Sequence, residues 1–204
     1  MRLLLIRHGE SICGVNGIVG GERGCTGLTE RGLAQARALR DRLTNEAFAA
    51  DVIYTSTLPR AVQTAEIVAD GLGLPPEQDP NLREFIPGEM DGTPWEAWDR
   101  FDVSAEPDRP MSPGGESLNV FKARVAALLD RFAADHPGQT VVAVCHGGVI
   151  GTSIYRAFGI PDGLIWADID FTSITEWRRE EERWRLVRFN DVAHLMGGDL
   201  LVRT

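Results

Sequence analysis

Five side chains in this sequence could do chemistry together: Arg7, His8, Arg60, Glu84 and His146. Arg7 and His8 end the apolar run Leu3-Leu4-Leu5-Ile6 and are followed by Gly9. His146 ends a second apolar run, Val141-Val142-Ala143-Val144-Cys145, and is followed by Gly147 and Gly148. Such runs read as buried parallel strands. The carboxyl ends of those strands share one rim, where an open α/β sheet places its ligand. Arg60 lies in Ser56-Thr57-Leu58-Pro59-Arg60, in the first helical turn after a shorter strand, Asp51–Thr55. Two guanidinium forks, two imidazoles and the helix N-termini behind them suit a tetrahedral oxyanion. Arginine matches phosphate in a bidentate way that lysine does not, and neither strand-end segment contains lysine.

Cleaving a phosphate ester also takes a nucleophile and an acid for the leaving group. A neutral imidazole at His8 can attack phosphorus, and neighbouring arginine charge favours that neutral form. Glu84 is the candidate acid, within Asn81-Leu82-Arg83-Glu84-Phe85, at the end of a third strand or in the loop after it. Burial and the negative charge of a bound phosphate would keep it protonated. His146 would donate to the equatorial oxygens. Glu10 reads as a hydrogen-bond anchor rather than the acid.

Regular elements with local start and stop signals would hold these groups. A strand over about Arg2–Arg7 leads into a glycine-rich loop from Gly9 to Gly27. Thr29 can cap a helix over about Glu30–Leu43. Ser56 or Thr57 can cap the next helix, with Pro59 in its first turn and Gly71 and Gly73 at its end. Pro75, Pro76 and Pro80 mark a turn region. Phe85–Glu116 is irregular, with a short helical candidate around Pro94–Phe101. Leu118, Phe121, Val125, Leu128, Leu129 and Phe132 form a helical stripe, stopped by Pro137-Gly138. After the Val141 strand, a helix is expected over Val149–Phe158. Ile169, Phe171 and Ser173 suggest a strand, Arg178–Arg183 a charged turn, and Trp184–Phe189 a final strand. Strand–helix alternation implies an α/β protein of parallel units that ends in an antiparallel hairpin.

The 204 residues suit one domain over 1–204, with 85–116 as an irregular cover on its site. The formal net charge is −9, which disfavours nucleic acid as a partner and leaves any anion site to local cations. No apolar stretch is long enough to span a bilayer, and no signal peptide opens the chain. Cys13, Cys25 and Cys145 are an odd count without CxxC spacing, which fits reduced thiols and a cytoplasmic location. Cys145 should point into the core; Cys13 and Cys25 read as loop residues rather than metal ligands. Gly17–Gly21 lacks the G-x-G-x-x-G pattern of a dinucleotide loop. No clustered set of metal-ligand residues is present, so neither metal nor cofactor is expected.

Six blocks in order give the chain a further resemblance. They are Arg7-His8-Gly9-Glu10-Ser11, Gly27-Leu28-Thr29-Glu30-Arg31-Gly32, the stretch from Ser56 to Ala65, Leu82-Arg83-Glu84, Pro113-Gly114-Gly115-Glu116-Ser117, and Val144-Cys145-His146-Gly147-Gly148. In them the chain resembles the histidine phosphatases, the phosphoglycerate-mutase-like superfamily. The resemblance implies a three-layer αβα sandwich with a mostly parallel central sheet. It implies His8 as the phosphorylated nucleophile, Glu84 as acid and then base, and a phosphate pocket of Arg7, Arg60, His146 and Gly147. From the loop after the first motif it adds Asn16, displaced by extra residues, and Gly21. It implies no metal.

Mutases of this type have a longer, more basic middle insertion, whereas Phe85–Glu116 is short and rich in Trp, Met, Pro and acids. The expectation is therefore a hydrolase of small phosphorylated metabolites working through a phosphohistidine. A mutase-type phosphotransferase and a non-catalytic phospho-ligand binder or regulator are the alternatives. The expected partner is a small phosphate ester, with no nucleic acid or membrane, and with a homodimer left open. Trp95, Trp98 and Phe101 are left between packing and a substrate platform. The acids of the cover, Glu89, Asp91, Glu96 and Asp99, are expected to disfavour a substrate with a second anionic group.

Overall fold

A computed structural model of the chain describes residues 1–98, 101–161, 167–196 and 199–201. Its centre is a six-stranded sheet in the order β3-β2-β4-β1-β5-β6. β1 spans Arg2–Arg7, β2 Val52–Thr55, β3 Pro76–Gln78 and β4 Thr140–Cys145, and these four are mutually parallel. β5, Ile174–Glu180, runs antiparallel to β1, and β6, Arg183–Asp191, antiparallel to β5. The helices are α1 (Ile12–Val15), α2 (Glu30–Asn45), α3 (Pro59–Leu72), α4 (Leu118–Asp135) and α5 (Gly147–Phe158).

Alternation along the central strands splits the core into two layers. Leu4, Ile6, Val142 and Val144 pack with Leu39 and Leu43 of α2 and Ala61, Ala65 and Val68 of α3. Leu3, Leu5, Val141, Ala143 and Cys145 pack on the other face, with Phe121, Val125 and Phe132 of α4 and Val149 and Ile150 of α5. Both faces of β1 and β4 are thus buried, which explains their unbroken apolar runs. The chain leaves β1 toward the α2–α3 layer and leaves β4 into α5 in the other layer. The crevice opens between those two strand ends, at the switch point of the sheet.

Local signals set most boundaries. Thr29 caps α2 by accepting the Gly32 N–H at 3.0 Å, and Ser117 caps α4 by accepting the Val120 N–H at 3.3 Å. α3 departs from expectation: Leu58 holds the cap position and supplies no side-chain bond. Ser56 lies too early to cap; its hydroxyl takes the Leu58 N–H at 3.3 Å and turns toward His146. Ser11 caps α1 inside the glycine-rich loop, where no helix was expected. Pro76 opens the edge strand β3 instead of belonging to a turn, a place proline tolerates because an edge residue needs no ladder donor. The helical candidate at 94–101 is a short 3₁₀ turn, Trp95–Ala97.

The largest corrections are near the C-terminus. Ile169–Ser173 is not a strand; it turns over the end of β1, with Thr172 at φ 54°. The expected charged turn at 178–183 is mostly strand, and only Glu181 and Glu182 form the turn. Glu176 explains the misreading. It is fully buried inside β5, held by Arg2 at 2.8 Å and Arg188 at 2.9 Å, so a central strand carries surface-like letters. Among the described residues no helix is long and apolar enough to cross a membrane.

Candidate active site

The parallel register pairs Arg7 with Cys145, so His8 and His146 leave neighbouring strands at the same level. The His8 N–H donates to the Cys145 carbonyl at 3.0 Å, which extends the ladder by one residue. Gly9 then passes against the first turn of α2, where a Cβ would stand 2.6 Å from the Gly32 carbonyl oxygen. That contact needs a glycine on each side and accounts for two of the sequence blocks. The Gly9 N–H donates to Thr64 Oγ1 at 3.1 Å, and Thr64 Oγ1 donates to the Arg60 carbonyl at 2.8 Å. The spacing from Arg60 to Thr64 therefore ties α3 to the His8 loop.

The imidazole tautomers follow from their partners. His8 Nδ1 lies 2.7 Å from the Gly9 carbonyl, which can only accept, so Nδ1 carries the proton and Nε2 a lone pair. Arg60 Nε donates to that Nε2 at 3.0 Å. Arg60 Nη2 lies 3.1 Å from His146 Nδ1, and a guanidinium can only donate. The His146 proton is therefore on Nε2, donated to Ser56 Oγ at 2.8 Å. Arg60 Nη1 donates to the Gly20 carbonyl at 2.7 Å. One buried guanidinium thus spans both rings, whose centroids are 5.0 Å apart. Burial first, then the Arg60 charge, holds both imidazoles well below their ordinary pKa.

Arg7 stacks its guanidinium 4.1 Å over the Phe171 ring and donates through Nη1 to the Ile169 carbonyl. Its Nε is buried with no hydrogen-bond partner. Burial, more than the Arg60 charge, lowers its pKa to about 10. Gly147 opens α5 beside it; a Cβ there would stand 3.9 Å from Arg7 Nε.

Glu84 lies in the loop after β3 and a 3₁₀ turn, Pro80–Leu82. Its Oε2 accepts the Gly148 N–H at 2.9 Å and its Oε1 the Phe85 N–H at 3.1 Å. A side chain at Gly148 would collide with that carboxylate. Arg124 of α4 fixes the loop from behind. It donates to the carbonyls of Asn81, Arg83 and Glu84 at 2.7, 3.0 and 3.3 Å, and pairs with Glu116 at 2.7 Å. Glu116 in turn accepts the Ile86 N–H at 3.0 Å. Sequence reasoning missed Arg124 altogether and took Glu116 only as part of a motif; a lone arginine on an amphipathic helix carries no local signal of this role.

Arg7, His8, Arg60 and Glu84 line one cavity of about 570 Å³. His146 is fully buried behind Arg60, whereas His8 keeps 6 % exposure. Trp95 and Trp98 line the same cavity; Phe101 instead lies 4.1 Å under the Arg109 guanidinium, away from it. Cys13 is in the wall as well, 3.9 Å from Arg60 Nη1, a contact the loop reading did not anticipate. Asn16 is not brought in: it ends α1 and is exposed. Gly21 does not face the imidazoles either. Its N–H is taken by Asp91 Oδ1 at 2.8 Å, which ties the loop to the cover. None of Glu89, Asp91 and Glu96 lines the cavity, and Asp99 lies outside the described residues. The described residues contain no group of three or more His, Cys, Asp or Glu that could hold a metal ion.

The chain is 33% identical over 177 residues to the adenosylcobalamin/alpha-ribazole phosphatase of Salmonella typhi, covering 81% of this chain and 84% of that protein. It is 30% identical over 210 residues to a metal-independent phosphoserine phosphatase of Arabidopsis thaliana, covering 98% and 86%. Among solved structures, YhfR of Bacillus stearothermophilus superposes with a TM-score of 0.83 at 30% identity, over 95% of this chain and 98% of that one. The sequence profile described as "Histidine phosphatase superfamily (branch 1)" matches residues 3–192. With two strand-end histidines bridged by one arginine and a profile spanning nearly its whole length, the chain belongs to branch 1 of the histidine phosphatase superfamily.

Proposed function

We propose that the protein hydrolyses phosphomonoesters of small metabolites through a phosphohistidine at His8. One observation carries the reading: of the two strand-end imidazoles, only His8 lines the cavity, and its Nε2 holds a lone pair. The relatives named as phosphatases of alpha-ribazole and phosphoserine support it.

The phosphoryl group enters against Arg7 and Arg60, and its oxygens replace His8 Nε2 as acceptor of the Arg60 Nε–H. His8 Nε2 attacks phosphorus, the P–N bond forms and the P–O bond to the leaving group breaks. Glu84 gives that oxygen its proton. The Nδ1–H···O=C bond to Gly9 stabilises the positive charge the ring acquires. Glu84 then takes a proton from water, whose oxygen attacks phosphorus; the P–N bond breaks and inorganic phosphate leaves. In the resting site His146 positions Arg60 and has its proton committed to Ser56. Donation from His146 to phosphate therefore needs a second proton, which an incoming dianion favours.

Release of phosphate from an aryl phosphate in excess chelator tests the reading. Activity persists, and rapid quench after labelled substrate gives an acid-labile protein label absent in His8→Ala. Loss on chelation with recovery on adding a divalent ion, or an equal label in the variant, overturns it.

A further inference from the structure

The phosphate end occupies only part of the cavity, and most of the side chains around the remainder are apolar. Among the described residues, the cations lining the cavity are Arg7 and Arg60, both committed to the reacting end. Its acids are Glu84 and Glu10, and Glu10 is already held by Thr29 at 2.7 Å and Arg31 at 3.3 Å. Guanidiniums around the site are engaged elsewhere: Arg83 with Glu22, Arg23 with Asp91 and the carbonyls of Gly88 and Glu89, and Arg124 with Glu116. Among the described residues no further cation lines the cavity, so a second anionic group on a substrate would lose water there without an ion pair in return, which is costly. The far wall is Ile18, Val19, Met90, Trp95, Trp98 and Met111. Aromatic and thioether surfaces of this kind reward a flat apolar group.

That wall is built, not draped. Ile18 and Pro94 form a bridge between the glycine-rich loop and the cover. The Val19 N–H donates to Thr93 at 2.8 Å, the Gly92 N–H to Val19 at 2.9 Å and the Trp95 N–H to Gly17 at 2.8 Å. The Asp91 carboxylate is gripped by three backbone N–H groups, those of Gly21, Arg23 and Gly24, at 2.8, 2.8 and 2.9 Å. The apolar groups therefore meet a substrate already in place, and little ordering cost is left for binding.

Resting on the phosphatase reading above, we infer that this site selects monophosphate esters whose organic part is uncharged, largely apolar and flat-faced, of up to nucleoside size. The selecting surface is the Met90–Trp95–Trp98 wall, and the excluded class is esters bearing a carboxylate or a second phosphate. Glu89, Asp91 and Glu96 of the cover do not line the cavity and take no part in that exclusion.

The test uses the full chain and esters of primary alcohols, so that leaving-group basicity is comparable. Phenethyl phosphate and a nucleoside monophosphate are compared with O-phosphoserine and phosphoglycolate, and an aryl phosphate reports whether the phosphatase chemistry operates at all. The uncharged esters are expected to exceed the charged ones by about tenfold or more in kcat/KM. Trp95→Ala and Met90→Ala each erase most of that preference, while inhibition by inorganic phosphate stays as in the parent and reports a folded site. Equal or better turnover of O-phosphoserine overturns the inference and leaves the phosphatase reading standing. A preference unchanged in both variants overturns the assignment to this wall. No turnover of any ester, the aryl phosphate included, removes the phosphatase reading and this inference with it.

Discussion

The two ends of the cavity are held by different kinds of structure. At the reacting end, His8 and His146 continue paired strands, and Arg60 sits in the first turn of a helix packed on the same sheet. Each reacting atom there is aimed by a hydrogen bond whose partner is itself buried. At the substrate end, Met90, Trp95 and Trp98 lie in a segment whose regular structure is two 3₁₀ turns, and Trp95 is 43 % exposed. That end is aimed by one carboxylate and a few main-chain bonds to a neighbouring loop. The difference separates two tasks. Phosphoryl transfer tolerates little displacement, so its nucleophile and phosphate-binding groups hang from the sheet, and the Glu84 loop is fixed by Arg124. Selection among leaving groups works by shape and polarity, which loops can vary without disturbing the chemistry.

Substitutions at the two ends should therefore differ in kind as well as in size. The largest expected effect is His8→Ala, with kcat lower by on the order of 10⁴–10⁶-fold for every ester. Near-parental turnover would move the nucleophile elsewhere and dissolve the comparison. Glu84→Gln is expected to cost about 10²–10⁴-fold with alkyl esters. The loss should shrink with nitrophenolate leaving groups, which need little protonation. A loss independent of leaving group would take the acid role from Glu84. Arg60→Ala comes next, at about 10²–10³-fold in kcat with good and poor leaving groups alike. Removing that charge also raises the pH at which His8 protonates, because the Arg60 charge is the second cause, after burial, of its depression. Imidazole C–H resonances followed against pH read this directly.

At the substrate end, Asp91→Ala frees three backbone N–H groups and loosens the wall. A rise of about tenfold in KM for bulky uncharged esters is expected, with kcat little changed. A fall in kcat with unchanged KM would mean that the two ends are mechanically one. The smallest effect concerns stability. His8 and His146 are buried neutral, with folded pKa values below the ordinary imidazole value. Unfolded imidazoles take up protons below about pH 6.5, so the unfolded chain binds more protons there. Their contribution is complete above about that pH and declines as the pH falls. Urea midpoints at about pH 7.5 and about pH 5.5 check the sign, and the decline should be shallower in His8→Asn. A midpoint that rises on acidification would contradict buried neutral rings.

The strand ends were legible because the signal is local: an apolar run, then a cation, an imidazole and a glycine, twice. The Arg60 helix turn was legible for the same reason, through Pro59. Glu84 could be named by type, but its loop placement needed the third strand, a short edge piece opened by Pro76. The C-terminal quarter was misread where burial and charge coincide. Glu176 looks solvated in one dimension; besides Arg178 on its own strand, it is neutralised by Arg2 of β1 and Arg188 of β6, which only the sheet brings to it. Asn16 and Gly21 lie off the cavity because Asn16 ends α1 in solvent and the Gly21 N–H is taken by Asp91, contacts that no local motif encodes.

By itself the sequence determined which groups could react and which elements would present them, since hydrophobic period, caps and turn residues act over a few positions. The pairing of β1 with β4, and with it the meeting of His8 and His146 through one guanidinium, belongs to the tertiary structure. So do the tautomer of each ring, the burial that leaves His8 alone facing the cavity, the hold of Arg124 on the Glu84 loop and the stitching of the cover to the first loop. These depend on contacts between residues far apart in the chain, whose hydrogen bonds and burial come into being only when the sheet closes.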